Sequence, residues 1–319
     1  MSLTAVFDKL STYMNRSLKF SALILATFSL LFLIWSIGGM FQPSSRTPRD
    51  SSKPLVLVSV APLAKMLSQI AEETIDIETV IPSHVDPHNW EPTYRDMGSL
   101  RDARLWFTVG MSFELPLEKK LMEANPDLHI YNVNTTLPTL KADHHAHHHG
   151  EEFDTHTWLS PTLDISICNF LTKILSELLP DHQTLYEKNA QLLISQLKRL
   201  NSSCKQSLEP FSGELLVTTH GAYSYYCQDF GLEQIVIEPS EGKEARMREI
   251  TSLLKQLKST KKQIALIVTQ PQHTNKAADI IAKNLEKKTF SVDPYAPNYI
   301  ETIERLTSLI VSERPPQGR

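Results

Sequence analysis

The chain has 319 residues, of which 41% are hydrophobic and 21% are charged, and its formal net charge is −4 with histidine neutral. These values are typical of a globular protein with enough apolar material for a core and enough length for two domains. They argue against a nucleic-acid-binding protein, because such proteins present a basic surface.

The N-terminal segment differs from the rest of the chain. Residues 21–40 include no charged residue, and about 20 apolar residues can span a bilayer as a helix. Lys9, Arg16 and Lys19 precede this stretch, a bias that keeps the N-terminus in the cytoplasm and sends the following chain across the membrane. A cleaved signal peptide and an uncleaved membrane anchor both fit residues 1–40. In either case we expect the body of the protein to lie outside the cytoplasm.

A flexible tether is predicted at residues 41–53, which are rich in Ser, Pro and Arg. Beyond it, short apolar runs alternate with segments whose apolar residues recur at helical spacing. This alternation predicts crossover units and a largely parallel sheet. The predicted strands cover residues 55–60, 75–81, 105–109, 129–133, 214–219, 233–237, 263–268 and 288–292.

The middle of the chain contains no strand pattern. Residues 161–210 predict one helix to about Leu179, a break at Pro180 and a second helix over 184–208. At 1.5 Å per residue the second helix is about 40 Å long, enough to cross the molecule. We therefore predict an α/β protein of two parallel-sheet lobes joined by one long rigid helix. The predicted segments are an N-terminal lobe at 54–180, the connecting helix at 181–210 and a C-terminal lobe at 211–319.

The three cysteines are Cys168, Cys204 and Cys227. Their odd number leaves at least one unpaired within the chain, while one internal disulfide is compatible with an exported protein. No two of them have the spacing of metal ligands, so a cysteine metal site is not expected.

Four polar residues follow strands or lie on equivalent loops. His220 and Asp293 come just after predicted strands, His88 lies a few residues beyond another, and His156 precedes the next helix. Ligands of parallel α/β sheets bind at the carboxyl ends of the strands. If these edges of the two lobes face each other, all four side chains meet in a cleft between the lobes.

Three imidazoles and one carboxylate form a suitable ligand set for Zn²⁺, although imidazole also suits Fe, Mn and Ni. The prolines on either side of His88, Pro87 and Pro92, restrict its loop and lower the entropy lost on binding. The remaining single histidines are interpreted as structural or surface residues, and His273, which also follows a strand, stays outside the predicted ligand set.

Residues 143–152 form a low-complexity tract with five histidines in six positions, 144–149. Such a tract cannot pack into a core, and tracts of this composition are exposed and bind metal ions loosely. We interpret it as a capture loop near the predicted cleft.

Four segments together resemble the metal-specific solute-binding proteins of ABC importers, the zinc and manganese uptake family. They are HVDPHNWEPTYRDM, DTHTWLSP, VTTHGAYSYYCQDFGLEQI and FSVDP, and the resemblance covers about residues 54–313. It implies two α/β lobes joined by a long helix with the metal ion between them. Carried over position by position, it implies the ligands His88, His156, His220 and Asp293.

The resemblance has departures as well as matches. With histidine at position 220 the chain resembles the zinc-type branch of the family, since manganese-type members often have Glu at this position. The segment before WLSP often reads Asp-Pro-His in the family, but position 155 is Thr here. The usual acid before Pro-Gln is replaced by Gln270, which changes the surroundings of the ligands.

The sequence therefore predicts a periplasmic receptor that binds a divalent metal ion, most consistent with zinc, and delivers it to an ABC permease. We expect a monomer without enzymatic activity. Three alternatives remain open: a manganese- or iron-type receptor of the same family, a metal buffer or adhesin without a permease, and a zinc-dependent hydrolase. The hydrolase is disfavoured because no HExxH motif or suitably spaced general base is found.

Overall fold

The computed structural model describes residues 53–82, 85–87, 90–141, 153–238 and 245–313. These residues form two four-stranded parallel sheets with helices packed on them, and a long helix between the sheets in the sequence. The predicted α/β architecture of two parallel-sheet lobes is confirmed.

The first sheet has the strand order β2-β1-β3-β4, with every pair parallel. One of its two central strands, β1, is buried along its whole length, as expected for a continuous apolar run inside a parallel sheet. The strands are β1 (Leu55–Val58), β2 (Asp76–Thr79), β3 (Leu105–Thr108) and β4 (His129–Asn132). The helices are α1 (Ala61–Ala71), α2 (Tyr94–Leu100) and α3 (Glu114–Ala124).

Several strands end one or two residues earlier than predicted. Val60, Val109 and Val133 lie beyond the ends of β1, β3 and β4, yet each is buried in the core. The apolar pattern therefore continues into the loops after the hydrogen-bonded ladder has ended, and apolar periodicity alone does not distinguish the two.

Two helices occupy the middle of the chain, as predicted. Helix α4 (Pro161–Leu178) begins after Ser160, whose hydroxyl accepts a hydrogen bond from Leu163 N at 3.1 Å. It ends before Pro180, which lacks an N–H and disfavours helical geometry in the preceding residue. Helix α5 (Gln183–Leu208) follows after a single 3₁₀ turn and has 26 residues, or a length of about 40 Å.

The second sheet repeats the topology of the first, with the order β6-β5-β7-β8. From β5 the chain continues to β6, the neighbour toward one edge of the sheet, and then crosses to β7, the neighbour of β5 toward the other edge. The direction of winding therefore reverses between β5 and β7. Ligands bind at the carboxyl ends of strands at such a reversal. The strands are β5 (Leu215–Thr218), β6 (Glu233–Val236), β7 (Ile264–Thr269) and β8 (Thr289–Ser291). The helices are α6 (Ser224–Phe230), α7 (Met247–Ser259), α8 (Lys276–Asn284) and α9 (Tyr299–Ser312).

One apolar core connects the two sheets through helix α5. It includes Val56 and Val58 of β1, Leu197 of α5, and Leu216 and Val268 of the second sheet. The long helix is thus part of a continuous core and not an exposed linker.

All three cysteines are buried and none forms a disulfide, so the internal bridge considered from the sequence is absent. Burial raises the pKa of the Cys168 thiol to about 12, with a smaller contribution from Asp164. Within the described residues no helix is long and apolar enough to cross a membrane. The predicted span at 21–40 lies outside those residues.

Candidate metal centre

Two of the predicted ligands, His156 and His220, lie side by side. His220 follows β5, and His156 lies on the loop that precedes α4. Their Nε2 atoms are 3.4 Å apart and their ring centroids 5.1 Å apart. Both side chains are buried, with 2% and 3% exposure. The fold therefore brings together two imidazoles that are 64 positions apart in the chain.

Asp154 orients His156 through two contacts. Its Oδ1 accepts a hydrogen bond from the His156 main-chain N at 2.9 Å and lies 2.7 Å from Nδ1 of the same residue. Because a carboxylate accepts hydrogen bonds, this contact assigns the ring proton to Nδ1 and leaves Nε2 as the nitrogen with the lone pair. A carboxylate on the far nitrogen is the usual support of a metal-binding histidine.

The loop after β8 also packs against His156. The Tyr295 hydroxyl lies 2.8 Å from His156 Nε2, and Trp158 Nε1 donates to the Pro294 carbonyl at 2.8 Å. The ring of Trp158 also contacts those of His156 and Tyr295. These contacts connect the loop that carries His156 with the loop that carries Asp293.

Asp293, the predicted carboxylate ligand, is held in place by its neighbours. Its Oδ1 accepts hydrogen bonds from Gln272 Nε2 at 2.8 Å and from Tyr295 N at 2.9 Å. Tyr223 donates its hydroxyl to the Val292 carbonyl at 3.0 Å. Burial, together with the charge of Asp293, raises the pKa of Tyr223, so this hydroxyl stays protonated and continues to support the loop.

The segment after β7 lies beside His220. Gln270 Nε2 donates to the His220 carbonyl at 3.2 Å, so this side chain supports the backbone of the loop. The His273 ring stacks on that of His220, with centroids 5.0 Å apart and planes inclined by 12°. His273 Nδ1 lies 3.0 Å from Oε2 of Glu238.

The structure thus juxtaposes His156 and His220, and it places Asp293 on a loop that contacts His156. The predicted ligand His88 lies outside the described residues. In the part of the chain that is described, no three His, Cys, Asp or Glu side chains are arranged to hold a metal ion. The Asp293 carboxylate is oriented by Gln272 and the Tyr295 amide.

Sequence reasoning missed the residues that support the ligands. Asp154 is two positions before His156, and a short-range Asp–His pair of this kind is a recognisable signal. Tyr295 and Gln272 have no comparable signal, because each reaches its ligand, His156 or Asp293, only through the packing of loops from different parts of the chain.

Residues 56–313 match the sequence profile of the ZnuA family, described as zinc-uptake complex component A periplasmic. The chain belongs to this family. ZnuA-family proteins are metal-specific solute-binding proteins of ABC importers, which bind and deliver metal ions and are not enzymes. The resemblance inferred from the four sequence segments is therefore confirmed, and the hydrolase alternative is excluded.

Individual comparisons agree with membership of the ZnuA family. A putative metal-binding protein of Chlamydia trachomatis is 28% identical over 275 residues, covering 86% of this chain and 95% of that protein. The crystal structure of ZnuA superposes with a TM-score of 0.74 at 26% identity, covering 82% and 98% of the two chains. The solute-binding protein FpvC of Pseudomonas aeruginosa, solved with Mn²⁺, superposes with a TM-score of 0.69 at 21% identity, covering 82% and 97%. At that identity the last match shows the fold alone.

Proposed function

We propose that this chain captures Zn²⁺ outside the cytoplasm and delivers it to the membrane permease of an ABC importer. The ion is cargo, and its proposed ligands are His88, His156, His220 and Asp293. The chain works as a monomer, because two lobes of one chain supply the complete ligand set.

The observation that carries the proposal is the distance between the two imidazole nitrogens. Two nitrogens that each lie about 2.0–2.1 Å from a tetrahedral zinc ion are about 3.3–3.4 Å apart. The separation of His156 Nε2 and His220 Nε2 is 3.4 Å. With Nδ1 of His156 against Asp154, Nε2 is the nitrogen that would bind the ion, which would replace the contact of Nε2 with the Tyr295 hydroxyl.

Zinc is favoured over manganese by the type of donor atom. His220 supplies a nitrogen where manganese-type receptors often have a carboxylate, and borderline-soft zinc gains more from nitrogen than hard manganese does. A manganese- or iron-type receptor is the alternative, and the solved Mn²⁺ complex of FpvC shows that this fold also accommodates manganese.

The remaining assignments concern the organisation of the chain. We infer that residues 1–40 export the chain or anchor it to the membrane, followed by the tether at 41–53. The N-terminal lobe at 54–180 contributes His88 and His156, and the C-terminal lobe at 211–319 contributes His220 and Asp293. The ion therefore couples the two lobes, and the helix at 181–210 keeps their relative motion small.

The test is a competition titration with a zinc chelator on the full chain and on His220→Ala. We expect the variant to lose at least about tenfold in zinc affinity, because removal of one of four ligands from a buried site leaves it incomplete. His182→Ala is the matched control, since His182 lies on the 3₁₀ turn before α5 and its ring contacts Tyr186. Equal affinities for His220→Ala and the unaltered chain would refute the assignment of the site. Mn²⁺ displacing Zn²⁺ from the unaltered chain would refute zinc as the cargo while leaving the receptor function intact.

A further inference from the structure

Three imidazoles, here called the imidazole row, are linked by ring contacts at the candidate metal centre. His220 contacts both of the others, with the His156 ring centroid 5.1 Å and the His273 ring centroid 5.0 Å from its own. His273 comes from the segment after β7, the strand next to β5 in the sheet. The row therefore lies where the winding of the second sheet reverses, which is where ligands of such sheets bind.

The side chain of His273 is buried, and its Nε2 atom lacks a hydrogen-bond partner within the described part of the chain. Its side chain is 4% exposed, and its main-chain N donates to the Gln270 carbonyl at 3.1 Å. Among the described residues, no hydrogen-bond partner is found for the buried Nε2 atom. Buried polar atoms in native proteins are nearly always paired, so an unpaired one requires an explanation.

A carboxylate lies next to Nδ1 of His273, as one does next to Nδ1 of His156. Glu238, itself 5% exposed, places Oε2 3.0 Å from His273 Nδ1, and Asp154 places Oδ1 2.7 Å from His156 Nδ1. The contact of Asp154 is a hydrogen bond, whereas Glu238 Oε2 has no hydrogen-bond partner among the described residues. Hydrogen bonds from carboxylates orient metal-binding histidines, and Glu238 lies close enough to form one with His273 when the ring turns toward an ion.

We propose that His273 is an auxiliary ligand that binds the metal ion transiently as it enters or leaves the site. The proposal rests on the proposed function, because it extends the same ligand set. In the transfer step the His273 Nε2 lone pair forms a bond to the ion while the bond from His156 Nε2 breaks, and His220 stays bound. No proton or electron is exchanged, and zinc accepts a fifth ligand during the step.

The decisive variant is His273→Phe, which keeps an aromatic ring against His220 and removes the nitrogen. Association and dissociation of Zn²⁺ are measured by stopped-flow exchange with a fluorescent chelator, using the purified full chain. A transfer ligand lowers the barrier in both directions, so we expect both rates to fall by about tenfold, with the equilibrium affinity changed less than about twofold. Glu238→Gln should slow both rates in the same direction, because it removes the negative charge 3.0 Å from Nδ1 of His273.

His182→Phe is the control, since the His182 ring contacts Tyr186 and lies outside the imidazole row. Unchanged rates in both His273→Phe and Glu238→Gln would overturn the proposal. A weaker affinity with an unchanged association rate would also overturn it, because it would make His273 a permanent ligand or a purely structural residue. If the unaltered chain itself does not bind zinc tightly, the proposed function fails, an outcome distinguishable from failure of the transfer step alone.

Discussion

Asp154 shows how one side chain can determine the orientation of a candidate ligand. Its Oδ1 contacts both the main-chain N and Nδ1 of His156, so the backbone and the ring are positioned together. The residue is 6% exposed, which leaves little room for water to take its place. Loss of its charge should therefore affect the metal ion even though Asp154 is not a proposed ligand.

We predict that Asp154→Asn lowers zinc affinity by about 10–100-fold, the range typical of a lost carboxylate behind a ligating histidine. A competition titration against a chelator measures this directly. Asp127→Asn, a change of the same kind at an exposed position, should leave the affinity unchanged. An Asp154→Asn protein that binds zinc as tightly as the unaltered chain would show that His156 does not depend on this carboxylate.

At the level of the secondary-structure elements, Glu114 connects the end of β3 with the start of α3. Its carboxylate accepts hydrogen bonds from the main-chain N–H groups of Val109 at 2.9 Å, Gly110 at 2.6 Å and Met111 at 2.9 Å. Gly110 adopts φ +93°, a conformation that favours glycine. The loop is thus built around one buried acid.

This acid makes stability depend on pH in a defined direction. Burial raises the pKa of Glu114 from 4.5 to about 7, against the opposing effect of hydrogen bonds from Ser59 and the backbone. The folded chain therefore binds this proton more tightly than the unfolded chain between these two values, and the contribution of Glu114 to the free energy of unfolding falls as pH rises through that window.

We predict that Glu114→Gln removes this part of the pH dependence, because glutamine does not titrate. Urea unfolding at several pH values between 4.5 and 7, with a chelator present, gives the slope for each protein. The unaltered chain should lose more stability across the window than the variant does. Identical slopes would show that Glu114 does not hold its proton more tightly in the folded chain.

At the scale of the whole molecule, helix α5 makes the lobes share one core. Leu197 of this helix is fully buried, whereas Leu192 on the same helix is 63% exposed. Because the core cluster that includes Leu197 also includes residues of both sheets, damage to it should destabilise both lobes together.

We predict that Leu197→Ala lowers the free energy of unfolding by about 2–5 kcal/mol, the usual range for a buried leucine replaced by alanine. Leu192→Ala, the matched change on the exposed face, should alter it by less than about 0.5 kcal/mol. Denaturant unfolding followed by circular dichroism and by tryptophan fluorescence should give coincident transitions in each protein. Two separate transitions would mean that the lobes unfold independently.

The His-rich tract is the remaining feature at this scale, and it lies outside the described residues. The chain on either side of it is held together: Lys141 and Phe153 form an antiparallel bridge. The Tyr225 hydroxyl accepts a hydrogen bond from Leu140 N at 3.0 Å and donates one to the Asp154 carbonyl at 2.8 Å. Leu140, just before the tract, and Asp154, just after it, are thus held together by the Tyr225 hydroxyl.

We predict that deletion of residues 143–150 removes weak zinc binding and leaves the tight site nearly unchanged. An ion bound by the tract must fix its backbone, at about 1–2 kcal/mol per residue, so binding there should be weak. A zinc titration buffered by a chelator separates the two classes of site. Loss of the high-affinity transition would mean that the tract supplies one of the tight ligands.

Much of the fold follows from local patterns. The apolar runs of β1 and β3 and the break at Pro180 are signals within a few residues, and the structure has the corresponding strands and helices. The ends of the strands are less well predicted, because buried residues such as Val109 continue the apolar pattern past the ladder. Two candidate ligands, His156 and His220, were identified by their positions on loops, and the structure places them together.

The α/β class, the segments typical of the family and the histidines that follow strands can all be recognised without coordinates. Which of those groups touch depends on how the chain packs in three dimensions. His156 and Tyr295 are 139 positions apart, and His156 and His220 are 64 apart, so neither contact has a local signal. The stacking of His273 on His220 and the contact of His273 with Glu238 have no local signal either, because they depend on how neighbouring strands present their loops. Residue types and short-range spacing specify which chemistry is available, but distances between loops arise from the packing of the whole sheet.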